Sequence, residues 1–328
     1  MLQPLTLPFE AALAERRFFK LICGASYRNY EVIRWLAEVF THAGAHAIDV
    51  GLDVGSVEAA RAGIQAAQAA GAEHEPVVLV SLDAGDDVHF FRITLDRPAC
   101  TDCGSCLPAC RFGVFDLTTA LQLDEQNCTG CRECVPVCPT EALSLRPWGR
   151  ARDYAGLLDA CWQAGARGIE LHTGSGDESG LAALWRLVGD QRQRWPFISF
   201  SVGDYGQGVP AVLALVGEIV GWAGSGIIIQ TDGKPISGRS GAASTRAALD
   251  LAAQVMDLDL PAFVQVAGGT NDLTGALAQE RSLPIHGVGM GSYARAFVGL
   301  PDAAQIPSRL DLWQSIHRAR ELVLSVNP

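Results

Sequence analysis

Eight of the ten cysteines in this 328-residue chain fall between positions 100 and 138, in two copies of one spacing. The first copy is Cys100-x2-Cys103-x2-Cys106-x3-Cys110; the second is Cys128-x2-Cys131-x2-Cys134-x3-Cys138, followed by Pro139. This is the spacing of bacterial ferredoxins that carry two iron–sulfur cubes. Three thiolates two residues apart can close around one cube, while the fourth points away and reaches the other. On that crossed pattern Cys100, Cys103, Cys106 and Cys138 form one ligand set, and Cys128, Cys131, Cys134 and Cys110 the second, each for a [4Fe–4S] cluster. Zinc sites use paired Cys-x2-Cys arms or Cys/His mixtures, and no histidine lies between the motifs. Disulfides need an oxidising compartment, and residues 1–17 lack the order of a secretory signal, so the expected location is the cytoplasm. Arg111 follows Cys110 where Pro139 follows Cys138. Without that proline the cluster served by Cys110 is expected to be the more exposed, and to lose an iron to a [3Fe–4S] form.

Charge and hydropathy narrow the partners. The formal net charge is −11, which argues against nucleic acid and anionic membrane surfaces, since both need a basic footprint. The most apolar long run, 209–229, is interrupted by Glu218 and by Gly221, Gly224 and Gly226, so it reads as helix, turn and strand rather than as a membrane span.

Outside the cysteines, apolar runs alternate with helical periodicity. Strands are expected at 18–25, 45–53 and 76–83, with helices over 29–42 and 56–70, the second capped by Ser56. The alternation breaks for the cysteine segment, which is flanked by expected strands at 89–95 and 142–146 around a hairpin-like stretch at 114–123. It resumes with strands at 168–172, 197–202, 226–231, 262–267 and 285–288, separated by helices and closed by a helix over 309–324. Eight strands alternating with helices predict an α/β fold, a (β/α)8 TIM-like barrel, with an inserted α+β two-cluster ferredoxin domain. The boundaries read 1–85 for the first barrel segment, 86–148 for the insertion and 149–328 for the rest. A doubly wound sheet in two halves is the alternative architecture.

An insertion after the third strand lies on the barrel's C-terminal face, where barrels keep their sites. On that face Gly268 and Gly269 follow strand seven, and Gly289 and Gly291 lie at strand eight, a pattern that suits a phosphate or simply tight turns; Arg295 and Arg239 would supply counter-charge. Asp232 and Lys234 read as an acid/base pair or as loop-shaping residues. Asp49, Asp53, Asp83, Glu170, His172 and Asp204 also end strands. Lys20 is expected to point inward, paired with Asp49 or Glu170, because a buried lysine must be matched. Cys23 and Cys161 have no spacing partners and read as buried hydrophobes.

The run Phe19-Lys20-Leu21-Ile22-Cys23-Gly24-Ala25, the strand over 45–53, both cysteine motifs and the segment 230–238 together resemble the light-dependent period (LdpA) family of cyanobacterial iron–sulfur clock proteins. The resemblance implies two clusters, a redox-sensing role that carries the light-dependent redox state to the circadian clock, and clock proteins as partners. It assigns nothing at the barrel mouth. From the residues themselves, a flavin-dependent oxidoreductase with FMN in the barrel and the ferredoxin segment as its wire is an alternative, as is a pure electron-transfer relay.

Overall fold

The computed structural model describes residues 8–85, 87–147, 153–174, 178–233, 241–299 and 309–326. In chain order these form α1 (Pro8–Ala14), β1 (Phe18–Gly24), α2 (Tyr30–Ala43), β2 (Ala47–Gly51), α3 (Val54–Ala69) and β3 (Val77–Asp83). Next come β4 (Phe91–Leu95), β5 (Phe115–Asp116), β6 (Gln122–Leu123) and β7 (Leu143–Pro147). The chain then runs through α4 (Tyr154–Gln163), β8 (Gly168–His172), α5 (Glu178–Gly189), β9 (Phe197–Gly203), α6 (Val209–Ala223) and β10 (Ile228–Asp232). It ends with α7 (Ala242–Met256), β11 (Phe263–Ala267), α8 (Thr274–Glu280), β12 (Gly287–Met290), α9 (Ser292–Phe297) and α10 (Arg309–Leu324). Eight strands close a barrel in the order β1-β12-β11-β10-β9-β8-β3-β2, every neighbouring pair parallel. The closed barrel, not the doubly wound sheet, is the architecture.

Between β3 and α4 the chain leaves the barrel. Strands β4 and β7 pair antiparallel with Phe91 opposite Pro147 and Leu95 opposite Leu143, which brings the two ends of the excursion together. The cysteine motifs sit between them, on either side of the β5–β6 hairpin. This segment has its own small core, in which Ile93, Phe112, Val114, Leu121 and Leu143 pack with Cys106, Cys128 and Cys134. Ligand cysteines therefore make up much of the interior.

The barrel interior is layered by the two-residue period of its strands. At the bottom Phe18, Ala47, Leu79, Phe197 and Ile228 meet Phe9, Ala12 and Leu13 of α1, with the Phe9 and Phe197 rings 5.2 Å apart, edge to face. Helix α1 was not foreseen; it caps the apolar end. The upper layers are polar, with Lys20, Asp49, Ser81, Glu170, Ser201, Gln230, Asp232 and Gln265 all buried. Barrels are commonly filled by branched aliphatic side chains, so a polar filling at the C-terminal end marks this face as the chemical one.

One local expectation is corrected. Helix α3 is capped by Asp53, whose carboxylate accepts from the Ser56 N–H at 3.0 Å; Ser56 lies in the first turn and its hydroxyl donates to the same oxygen. The aspartate wins because it stands just outside the helix, where a side-chain oxygen reaches the orphan N–H groups. Helices α2 and α3 meet at Gly63, where an added Cβ would lie 2.1 Å from the Arg34 carbonyl oxygen. Gly63→Ala is expected to destabilise the fold by about 1–3 kcal/mol through that overlap, read as a lowered urea midpoint; an unchanged midpoint would show that the helices part freely.

Candidate functional site

The cysteines divide between two cavities. One is lined by Cys100, Cys103, Cys106 and Cys138 with Leu95, Leu121 and Leu143. The other is lined by Cys110, Cys128, Cys131 and Cys134 with Ile93, Phe112, Val114 and Leu145. This is the crossed grouping, and the two spaces are of similar size, about 300 and 280 Å³. Backbone supports the sulfurs: the Ile93 N–H donates to Cys128 Sγ at 3.3 Å and the Asp102 N–H to Cys100 Sγ at 3.5 Å. Gly104 and Gly130, between ligands, adopt φ of 75° and 73°, a left-handed backbone that favours glycine and lets the chain wrap inward. A soft thiolate donor set, apolar walls and N–H groups on sulfur together fit an iron–sulfur cluster.

The exposure expected from Arg111 is reversed. Cys103 is the exposed cysteine, and it belongs to the first set. The second set is more enclosed: Phe112, two residues after Cys110, is buried and lines its cavity.

The insertion docks on the loop after β1. Arg28 N–H donates to the Gln126 carbonyl at 3.3 Å, and Asn29 Nδ2 to Asn127 Oδ1 at 3.1 Å. Between insertion and barrel lies a third cavity of about 850 Å³ of unfilled space, over the barrel mouth. Ile22, Tyr27, Asp49, Glu170, His172, Asp232 and Arg295 line it from the barrel side, and Phe112 and Thr129 from the insertion. Phe112 and Thr129 also line the cavity of the second cysteine set, so they are a wall common to both.

Under the mouth runs a continuous polar network. Lys20 Nζ bonds Glu170 and lies 4.0 Å from Asp49 Oδ2; it is inward and matched to both expected partners. Ser81 Oγ donates to Asp49 Oδ1 at 2.7 Å. Gln265 Nε2 donates to Gln230 Oε1 at 2.6 Å. Gln230 Nε2 in turn donates to Glu170 Oε1 at 3.1 Å and Asp232 Oδ1 at 3.2 Å, and Ser201 Oγ donates to Asp232. His172 Nε2 stands 3.4 Å from Glu170 Oε1, a charge contact. Its Nδ1 is 3.2 Å from Asp87 Oδ2, and His89 Nδ1 is 2.5 Å from Asp87 Oδ1. Asp87, His89 and Tyr205, whose hydroxyl reaches Asp87 at 3.4 Å, were not foreseen. The signal for Asp87 and His89 was their Asp-x-His spacing in the loop after the third strand; Tyr205 carried none.

Burial and neighbours sort these acids and bases. Burial pushes the Asp49 carboxyl up to about 7, with Glu170 adding to the shift against Lys20. Burial likewise raises Asp232 to about 6, against the opposing pull of His89 and Ser201. For Glu170 the burial effect is outweighed by Lys20 and His172, which hold it at about 2. Asp87 overcomes burial to raise His89 and, with Glu170, to raise His172 well above its ordinary value.

The signs converge. Raised histidines stabilise fully below their unfolded value of 6.5, and that contribution is lost as pH rises through their folded values. Raised Asp49 and Asp232 hold protons that the unfolded chain releases near 3.8, so stability also falls as pH rises from about 4 to 7. Glu170 is flat across that range, since its contribution is lost only on falling towards 2. Above pH 6.5 a histidine whose value is lowered by burial, such as His46, is neutral in both states, so barrel unfolding, followed by tryptophan fluorescence, is expected to become easier from pH 7 to pH 8; stability rising over that interval would contradict the assignment.

Other sequence candidates separate. Gly268, Gly269, Gly291 and Arg295 line the mouth cavity. Gly289 is not among its lining residues: it sits lower in β12, where an added Cβ would meet Gln265 Nε2 at 2.8 Å. Asp83 and Asp204 accept loop N–H groups, from Gly85 and Asp87 and from Gly206 and Gly208. Lys234 and Arg239 lie outside the described residues. Cys23 and Cys161 are fully buried, and burial pushes both thiols up to about 12, as inert packing residues. No described helix is long and apolar enough to cross a membrane.

Comparison with known proteins agrees with this geometry. Residues 99–142 match the 4Fe-4S dicluster domain, and residues 162–325 match the Light dependent period A C-terminal domain. Light dependent period A of Synechococcus elongatus is 35% identical over 305 residues, covering 85% of this chain and 78% of that protein. Among solved structures, YdjI aldolase of Escherichia coli K12 is 12% identical, with 98% and 93% of the two chains covered and a TM-score of 0.49. Tryptophan synthase of M. tuberculosis is 12% identical, with 98% and 99% covered and a TM-score of 0.49. Those two likenesses are too distant to inform the site. With its dicluster segment inserted in an eight-stranded barrel and its relatedness to the cyanobacterial protein, the chain belongs to the light-dependent period A family of iron–sulfur proteins.

Proposed function

We propose that this protein is a cytoplasmic iron–sulfur redox sensor that passes the light-dependent redox state of the cell to circadian clock proteins. Two [4Fe–4S] clusters would be held by Cys100, Cys103, Cys106 and Cys138 and by Cys128, Cys131, Cys134 and Cys110. They would occupy an insertion at 86–148 between barrel segments 1–85 and 149–328. The observation that carries the reading is the position of the second cysteine set, which shares Phe112 and Thr129 with the barrel mouth. When bound, the clusters supply reversible one-electron chemistry.

The chain's own residues supply the rest. Ile93 and Asp102 direct N–H groups at ligand sulfurs, and Phe112 and Val114 keep water from the second set. Asn127 stands next to Cys128 and is gripped by Asn29 and Tyr27 of the β1–α2 loop, so a change of charge at Cys128 is felt at the barrel surface. A partner that distinguishes the two states must bind them with different affinity; about 1.4 kcal/mol of difference is tenfold. The net charge of −11 favours partners with a basic face. Co-purification of clock proteins on immobilised chain, oxidised in one arm and dithionite-reduced in the other, is expected to differ between arms. Equal recovery would defeat the sensor reading.

A second reading, an oxidoreductase using FMN at the barrel mouth, is favoured by the wall that the mouth cavity shares with the second set. Visible absorption of protein purified without oxygen separates the two. Flavin peaks beside the broad cluster band would support the enzyme.

A further inference from the structure

One cation at the barrel mouth is left uncompensated by the network beside it. Arg295 is 6% exposed. Its Nη2 donates to the Cys23 carbonyl at 2.7 Å, and its guanidinium carbon lies 4.2 Å over the Tyr27 ring. Among the described residues its Nε is buried without a hydrogen-bond partner and no carboxylate pairs with it. The Cys23 thiol does not stand in for one, since burial keeps it protonated. Lys20 and His172, by contrast, each face a carboxylate.

Burying a charge without a counter-charge costs several kcal/mol, and here the uncompensated charge lines an open cavity. Its position is fixed in advance by the carbonyl and the ring, which lowers the cost of ordering it around a ligand. Across the same wall Gly268 and Gly269 have φ of 64° and 93°, and a Cβ on Gly268 would strike Gly233 N at 2.8 Å. No side chain can cover that stretch of backbone. The carboxylates that line the cavity, Asp49, Glu170 and Asp232, are engaged with Lys20, Ser81, Ser201 and Gln230. The cavity is a partly enclosed concavity with a few convergent polar groups on its walls, the general form of small-molecule sites.

We propose that the barrel mouth binds a small oxyanion-bearing metabolite, a phosphate ester or a carboxylate, whose anionic group docks on Arg295 beside Gly268 and Gly269 and whose body reaches Phe112 and Thr129. Binding at this site does not depend on the clock-sensor reading. Its coupling to redox state rests on the second cluster being held by Cys110, Cys128, Cys131 and Cys134. An anion placed on the other side of Phe112 and Thr129 disfavours the extra negative charge of the reduced cluster, so the bound ligand lowers the potential of that cluster.

The test uses the full chain with clusters assembled, handled without oxygen in chloride buffer at fixed ionic strength. Equilibrium dialysis against radiolabelled orthophosphate and, separately, acetate is expected to show saturable one-site binding of at least one. The preferred anion tells a phosphate ester from a carboxylate. Arg295→Met keeps the stem on Tyr27 and is expected to weaken binding by about tenfold or more, the scale of one charge-assisted hydrogen bond; Arg295→Lys is expected to recover part of it. No saturable binding of either anion to the wild-type chain, or undiminished binding to folded Arg295→Met, would overturn the site. An independent readout needs no variant: in a redox titration of the wild-type chain the binding anion lowers one cluster's midpoint and chloride does not. An unmoved midpoint would overturn the coupling whatever the variants do, and iron content measured on the same samples reports separately on whether the clusters assembled.

Discussion

Cys131→Ser is expected to remove the second cluster and loosen the insertion around it while leaving the first cluster and the barrel in place. Serine keeps the volume but loses the soft thiolate that iron–sulfur clusters require. The consequence is large locally, because Cys106, Cys128 and Cys134 are themselves core residues of the insertion. A segment this small, with its ligands as its interior, draws its folding energy from the bound group. Barrel stability should be almost untouched, since the barrel's two core clusters share no residue with that of the insertion. Iron per chain is expected to fall by roughly half while the far-ultraviolet dichroism of the barrel persists. Cys110→Ser should reproduce the same spectrum, and Cys138→Ser should delete the other cluster instead. A three-iron signal raised by gentle oxidation should survive in Cys131→Ser, because the exposed ligand, Cys103, belongs to the first set. Cooperative unfolding of the whole chain would refute the two-module picture, and identical spectra for Cys110→Ser and Cys138→Ser would refute the crossed ligand sets.

What the sequence disclosed and what it hid follow from how local each signal is. Ligand spacing is local, so both cysteine sets were readable in one dimension. The alternation of strand and helix is local too, and eight repeats of it left little choice of architecture. Helix α1 escaped because seven residues with two large apolar side chains make no periodic pattern; Phe9 and Leu13 acquire meaning only where Phe18, Leu79 and Phe197 converge on them. The cap of α3 was misassigned by three residues, since Asp53 and Ser56 are both good caps and only the backbone decides. Lys20 was legible as inward because an unmatched buried lysine is prohibitive. The chain from Glu170 through His172 to Asp87 was not, because Asp87 lies 85 positions before His172 in the lead-in to the insertion. Arg295 drew notice for its glycine-rich surroundings, yet its distinguishing feature is the company of Cys23 and Tyr27, some 270 residues away.

Lys20→Met is expected to be the most destabilising single change in the barrel, at about 3–5 kcal/mol near neutral pH. The lysine is fully buried against Glu170 and Asp49, so solvent does not screen the loss. Methionine fills most of the space left by the stem but leaves Glu170 ionised beside a second carboxyl, with His172 and Gln230 as its remaining partners. The penalty should depend on pH in a definite sense. With Lys20 present, Glu170 is held at about 2 and stays ionised over the working range, contributing stability that is lost only as pH falls from about 4.5 towards 2. Without the lysine, burial dominates and the Glu170 pKa rises, so protonation on acidification relieves the variant. The gap between wild type and Lys20→Met should be widest at pH 7–8 and narrow towards pH 4–5. Adding Glu170→Gln to the variant should recover much of the loss at neutral pH, because glutamine still accepts from Gln230 and carries no charge to strand. Denaturant titrations of the two single variants and the double variant, at pH 5 and pH 8, measure all of this. A loss below about 1 kcal/mol, or one equal at both pH values, would mean that water or a relaxed side chain already compensates Glu170 and that the pair is not what holds the polar layer together.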